Sequence, residues 1–117
     1  MIREVTFYET DTGNSPVEAF LDTLSTKQAR KVAWVISLVE DMEIVPTEYF
    51  QKMSGTDDLW EIRVKAAGNI YRFLGFFDSR TLVVLSHAFQ KKTQKTPQQA
   101  IRLAEDRKRD YFRRNKR

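Results

Sequence analysis

The sequence predicts an α+β domain: a twisted, mainly antiparallel β-sheet carrying two N-terminal helices and one C-terminal helix, in the order β-α-α-β-β-β-β-α. Three observations lead there. Residues 26–43 repeat apolar side chains at helical spacing. From Phe50 the period shortens toward two through four consecutive runs with short breaks between them. After Thr96-Pro97 a helical pattern returns. With 117 residues, 41% hydrophobic and 12% aromatic, the chain has material for one core and is read as a single domain, 1–117.

The first run, residues 2–8, sets Ile2, Val5, Phe7 and Tyr8 among charged residues and stops at the turn-forming Asp11-Thr12-Gly13-Asn14, so it reads as a strand. Ser15-Pro16, with Glu18 three residues after the serine, has the form of a capping box with proline in the first turn and starts a short helix over 16–23. The second helix, 26–43, lacks Gly and Pro and aligns Ala29, Val32, Ala33, Ile36, Val39 and Met42. Pro46 follows it.

Strands are expected at 50–53, 59–65, 70–77 and 81–89. The breaks between them suit hairpins, so each strand should pair antiparallel with the next. Thr96 as cap, Pro97 in the first turn and Gln99 three residues on predict a helix running to about Arg113. Its apolar side holds Ala100, Leu103, Ala104, Arg107 and Tyr111; its basic side holds Arg102, Lys108, Arg109, Arg113 and Arg114.

Charge is distributed unevenly. Residues 1–86 hold 9 Lys+Arg against 13 Asp+Glu, whereas residues 87–117 hold 11 against 3. A C-terminal quarter this basic points to a polyanionic partner. The chain has no cysteine, which excludes disulfides, thiol nucleophiles and thiolate zinc sites together, and it has one histidine. No run reaches the ~20 apolar residues of a membrane span, and residues 1–8 do not resemble a signal peptide. A cytoplasmic location without a membrane partner is expected.

Three places can carry chemistry. In residues 59–65, alternation sends Trp60, Ile62 and Val64 to one face and Glu61, Arg63 and Lys65 to the other. In the next strand Arg72 sits within an apolar run, and a guanidinium cannot discard its charge, so it requires a carboxylate or a bound anion. Glu61, across the hairpin, is the available carboxylate. Finally, the stretch from Gln90 to Pro97 gathers Lys91, Lys92 and Lys95 between a strand end and a helix N-terminus, a setting that favours phosphate. His87 stands just before it.

Leu59-Trp60-Glu61-Ile62-Arg63, Asn69-Ile70-Tyr71-Arg72 and His87-Ala88-Phe89-Gln90-Lys91-Lys92-Thr93-Gln94-Lys95-Thr96-Pro97 together resemble the RelE/ParE toxin superfamily. More narrowly, they are similar to its HigB-type branch of phage-derived toxin-like proteins. The resemblance covers nearly the whole chain and implies a RelE-like fold. It further implies the toxin of a type II toxin–antitoxin system, a ribosome-dependent mRNA endoribonuclease that uses no metal or cofactor. In such toxins the ribose 2′-hydroxyl attacks the adjacent phosphate. The partners implied are the ribosome, mRNA and a cognate antitoxin, a helix-turn-helix HigA-like protein.

Arg63 and Arg72 match the family's basic positions on the central strands, and Lys91 or Lys92 matches the one at the end of the last strand. Several RelE-like nucleases place a tyrosine or histidine shortly after that strand for proton transfer, where this chain has Thr93, Thr96 and Pro97. Glu61, His87 and the lysines are therefore the candidates for moving protons. Lys65, Lys95, Arg107, Lys108, Arg109 and Tyr111 are the expected RNA contacts. Tyr111 lies about 20 Å along the last helix from Thr96. Two other classes fit the same fold: a gyrase-binding toxin of the ParE kind without nuclease activity, and a non-catalytic RNA-binding module.

Overall fold

Strand β1 (Glu4–Phe7) is followed by helices α1 (Pro16–Leu21) and α2 (Thr26–Asp41), strands β2 (Phe50–Lys52), β3 (Trp60–Ala66), β4 (Asn69–Phe77) and β5 (Leu82–Lys91), and helix α3 (Gln98–Arg114). The structure is a computed structural model that describes residues 1–91 and 96–115. Element order and class are those expected from the sequence. The sheet has five strands in the order β1-β5-β4-β3-β2. Strands β2 to β5 form an antiparallel meander, and β1 joins β5 in parallel.

Local signals explain most boundaries. Ser15 Oγ accepts from the Glu18 N–H at 3.2 Å, the first half of the expected box, with Pro16 in the first turn. Helix α2 is capped by a reciprocal pair, Ser25 and Gln28. It stops at Asp41, short of the expected Glu43, where the Arg3 guanidinium donates to the carbonyls of Val39, Met42 and Glu43 at 3.0, 2.7 and 2.8 Å. Its buried stripe is Val32, Val35 and Val39. Ala33 and Met42, placed on that stripe by periodicity, are exposed, because the sheet selects the face carrying the larger branched Val35.

Between β3 and β4 the chain reverses through Ala67 and Gly68, at φ 53° and 79°. Two positive φ values in a two-residue loop match the twist of the flanking strands. Strand β5 runs past the expected end at Phe89 through Gln90 and Lys91. The expected capping box of α3 does not form: Pro97 is itself the N-cap, with ψ 138° and no side-chain cap bond. Thr96 then lies one position outside the helix and Gln99 one position too early for reciprocal capping. Lys92 and Lys95 lie outside the described residues.

Helices cover both faces of the sheet. Val17 of α1 and Val32, Val35 and Val39 of α2 pack on Ile62, Val64, Phe73, Val83 and Leu85. On the opposite face, Ala100 and Ala104 of α3 sit on Leu59 and Leu74, while Tyr111 and Phe112 lie against Phe76 and Val84. The two alanines let α3 approach the strands closely. Full burial of each Val, Leu or Phe is worth about 1.5–3 kcal/mol, so both layers matter to stability.

A β-bulge breaks the alternation of β5. Gly75 pairs with Leu85 but Leu74 pairs with His87, so Ser86 is the extra residue. Its carbonyl accepts from Arg107 Nη1 at 2.8 Å, and its hydroxyl lies 3.3 Å from the Ala104 carbonyl. At Gly75 an added Cβ would come within 2.3 Å of the Val84 carbonyl oxygen, which explains glycine there.

Candidate anion-binding site

Register places the candidate cations on the α3 face. Arg63 of β3 and Arg72 of β4 are direct cross-strand partners. Glu61 is two residues before Arg63 and pairs with Leu74, two residues after Arg72. Lys91 pairs with Ile70, so it points to the same side as Arg72 from the next strand. The bulge is responsible for that last placement. Counting by twos from Val84 would put Gln90 on this face and Lys91 on the other; one extra residue reverses the phase.

Arg72 is 6% exposed and Glu61 2%, and Arg72 Nη1 donates to Glu61 Oε2. This is the ion pair that the apolar setting of Arg72 demanded. Arg63, its cross-strand neighbour, has no carboxylate partner among the described residues. Among the described residues, three buried side-chain polar atoms have no protein partner: Glu61 Oε1, Arg63 Nε and Arg72 Nε. Uncompensated donors in a desolvated place attract an anion, and a planar guanidinium suits two phosphate oxygens. An open groove of ≈ 600 Å³ reaches this point, lined by Gln51, Met53, Ser54, Glu61, Arg72, Thr96 and Ile101. Lys91 has its pKa lowered, first by burial and then by Arg72, with Arg63 adding and Glu61 opposing. A less strongly held ammonium proton is useful for proton transfer.

The remaining candidates lie elsewhere. Lys65 is exposed near the β3–β4 turn. His87 is half-buried beneath α3, next to Phe89 and beside Arg107, and burial followed by the Arg107 charge lowers its pKa to about 4. Its Nδ1 lies 3.4 Å from Arg107 Nη1, which can only donate, so the neutral ring carries its proton on Nε2. Arg107 is thus turned inward, onto the bulge. Lys108 bridges to Asp57 in the β2–β3 loop, and Arg109 pairs with Asp106 on its own helix. Tyr111 donates to Asp78 at 2.7 Å and packs on Phe76. Asp78 lies six residues beyond Arg72, roughly 20 Å along extended chain, so α3 carries Tyr111 away from the cluster.

A second groove, of ≈ 200 Å³, is lined by Lys31, Glu48, Tyr49, Arg63 and Lys65. Arg63 therefore belongs both to the cluster and to this edge. Nothing in the spacing of Lys31 or Tyr49 signalled it, since helix α2 and the segment before β2 meet β3 only in the folded chain. Among the described residues no three His, Cys, Asp or Glu gather as a metal site.

The family model described as phage-derived protein Gp49-like (DUF891) matches residues 19–109, and the chain belongs to that family, within the RelE/ParE-like toxin superfamily. No curated protein matches the chain. No helix among the described residues is long and apolar enough to cross a membrane.

Proposed function

We propose that this chain is the toxin of a type II toxin–antitoxin pair, of the HigB kind, and a ribosome-dependent endoribonuclease that cleaves mRNA without a metal. One observation carries the reading: Arg63, Arg72 and Lys91 share a sheet face, and among the described residues both guanidiniums keep a buried Nε without a partner. Such a cluster is unfavourable in an empty protein and is offset by a phosphodiester. In the reaction the 2′-oxygen bonds to phosphorus and the bond to the 5′-oxygen breaks. The products end in a 2′,3′-cyclic phosphate and a 5′-hydroxyl. Arg63 and Arg72 neutralise charge on the equatorial oxygens, Glu61 holds Arg72, and Lys91 moves protons. Lys92 and Lys95 follow Lys91 in the sequence and are further candidates for phosphate contact.

The partners under this reading are the ribosome, the message and a helix-turn-helix antitoxin. Expression with and without the adjacent gene, with mapping of transcript ends, tests it. Growth arrest with new 5′-hydroxyl ends inside translated regions supports the nuclease. Arrest with intact messages and supercoiling defects transfers the chain to the gyrase-binding class.

A further inference from the structure

We propose a second RNA subsite at the β3 edge, in which an unstacked base of single-stranded RNA lies against Trp34 and Tyr49 while flanking phosphates meet Lys31, Arg63 and Lys65. The inference rests on the nuclease reading for its substrate but on different residues for its support. Trp34 is 46% exposed, although it is the largest side chain of α2 and costs most when left in water. It does not stand alone. The Tyr49 ring meets it edge-on at 5.8 Å, and Lys31 Nζ lies 4.6 Å from its ring centroid.

Tyr49 continues into the groove that Lys31, Arg63 and Lys65 line, where Glu48 is the one opposing charge. Aromatic faces interleaved with cations are what single-stranded nucleic acid requires, since every base offers a π-face and every linkage a charge. Continuity gives direction. Arg63 is the cross-strand partner of Arg72 and lines the edge groove, so a strand held at the cluster has an unbroken cationic path around the sheet edge onto α2. A protein partner would find less here, because the groove carries three cations against one acid beside the aromatic pair.

The test uses the full chain and a ten-nucleotide oligoribonucleotide with 2′-O-methyl riboses, which cannot be cleaved by 2′-attack. Binding is read by fluorescence anisotropy. Trp34→Ala and Tyr49→Leu should each weaken binding about ten-fold, as expected for loss of one stacked base. Trp34→Phe should retain most of the affinity, and Ile44→Ser, at a more exposed apolar residue outside the groove, should bind as wild type. Wild-type affinity in Trp34→Ala overturns the subsite, as does a Trp34→Ala variant that binds RNA normally but releases a co-expressed antitoxin. Unmodified message presented on translating ribosomes separates this outcome from failure of the nuclease reading. If no message is cut on ribosomes yet Trp34→Ala binds weakly, the subsite stands and the nuclease falls. If RNA is cut and Trp34→Ala binds normally, the reverse holds.

Discussion

Arg63 and Arg72 stand directly opposite one another on adjacent antiparallel strands, two guanidiniums at one register position. Like charges in that relation destabilise a sheet. Only Arg72 has a carboxylate, Glu61, so the pair is a cost to folding that a bound phosphate would relieve.

Arg63→Leu should therefore separate activity from stability. No carboxylate pairs with Arg63 among the described residues, and its removal relieves repulsion. Thermal unfolding should show the variant at or above wild-type stability, while cleavage falls by about 10² to 10³, the usual loss for one transition-state contact. Lys52→Ala, at an exposed pair with Asp58 on the opposite face of the sheet, beside Trp60, should keep wild-type toxicity. Equal toxicity of both variants would remove the phosphate role from Arg63.

Breaking the buried pair from one side should be costly. Glu61→Leu or Arg72→Met alone leaves an uncompensated charge in a desolvated place, worth about 3–5 kcal/mol of stability. The double variant should lose far less than the sum, a coupling that urea unfolding of the four proteins measures. Additive losses would mean that the two side chains do not depend on one another.

Gly75→Ala should unfold the protein or cost more than about 3 kcal/mol, since the new methyl meets backbone 2.3 Å away and no side chain can move aside. Circular dichroism on the purified variant decides. A stable Gly75→Ala protein would show that β4 and β5 separate at the bulge.

The pH dependence of stability should carry the signature of His87. Its folded pKa of about 4 lies below its ordinary 6.5, so the unfolded chain binds the proton first on acidification. The stabilisation is complete above pH 6.5 and is lost as pH falls toward 4, with a slope approaching about 1.4 kcal/mol per pH unit. His87→Gln should flatten that part of the curve by one proton. An unchanged slope in chemical denaturation between pH 6.5 and 4.5 would contradict the buried, neutral ring.

Much of this arrangement was readable before folding. The alternation in residues 59–65 places Glu61, Arg63 and Lys65 on one face, and they are found there. Arg72, alone in an apolar run, needed a carboxylate or a bound anion, and Glu61 supplies the first. The α3 cap was misread because Thr96, Pro97 and Gln99 satisfy the local pattern, whereas the path of the chain makes Pro97 the N-cap. On α2, periodicity puts Ala33 on the buried stripe, whereas contact with the sheet selects Val35.

Sequence by itself determined the element order, the strand pairing by hairpins, the identity of the cationic residues and the need for a negative partner at Arg72, because these follow from side-chain period, turn chemistry and the cost of an unpaired charge. Tertiary structure alone decided that Lys91 joins Arg63 and Arg72, and that Lys31 and Tyr49 meet Arg63 at the sheet edge. The first depends on one unpaired residue, Ser86, that reverses the phase of β5. Its position is set by the close approach at Gly75 and by Arg107, which donates to the freed Ser86 carbonyl, long-range conditions that no local pattern contains.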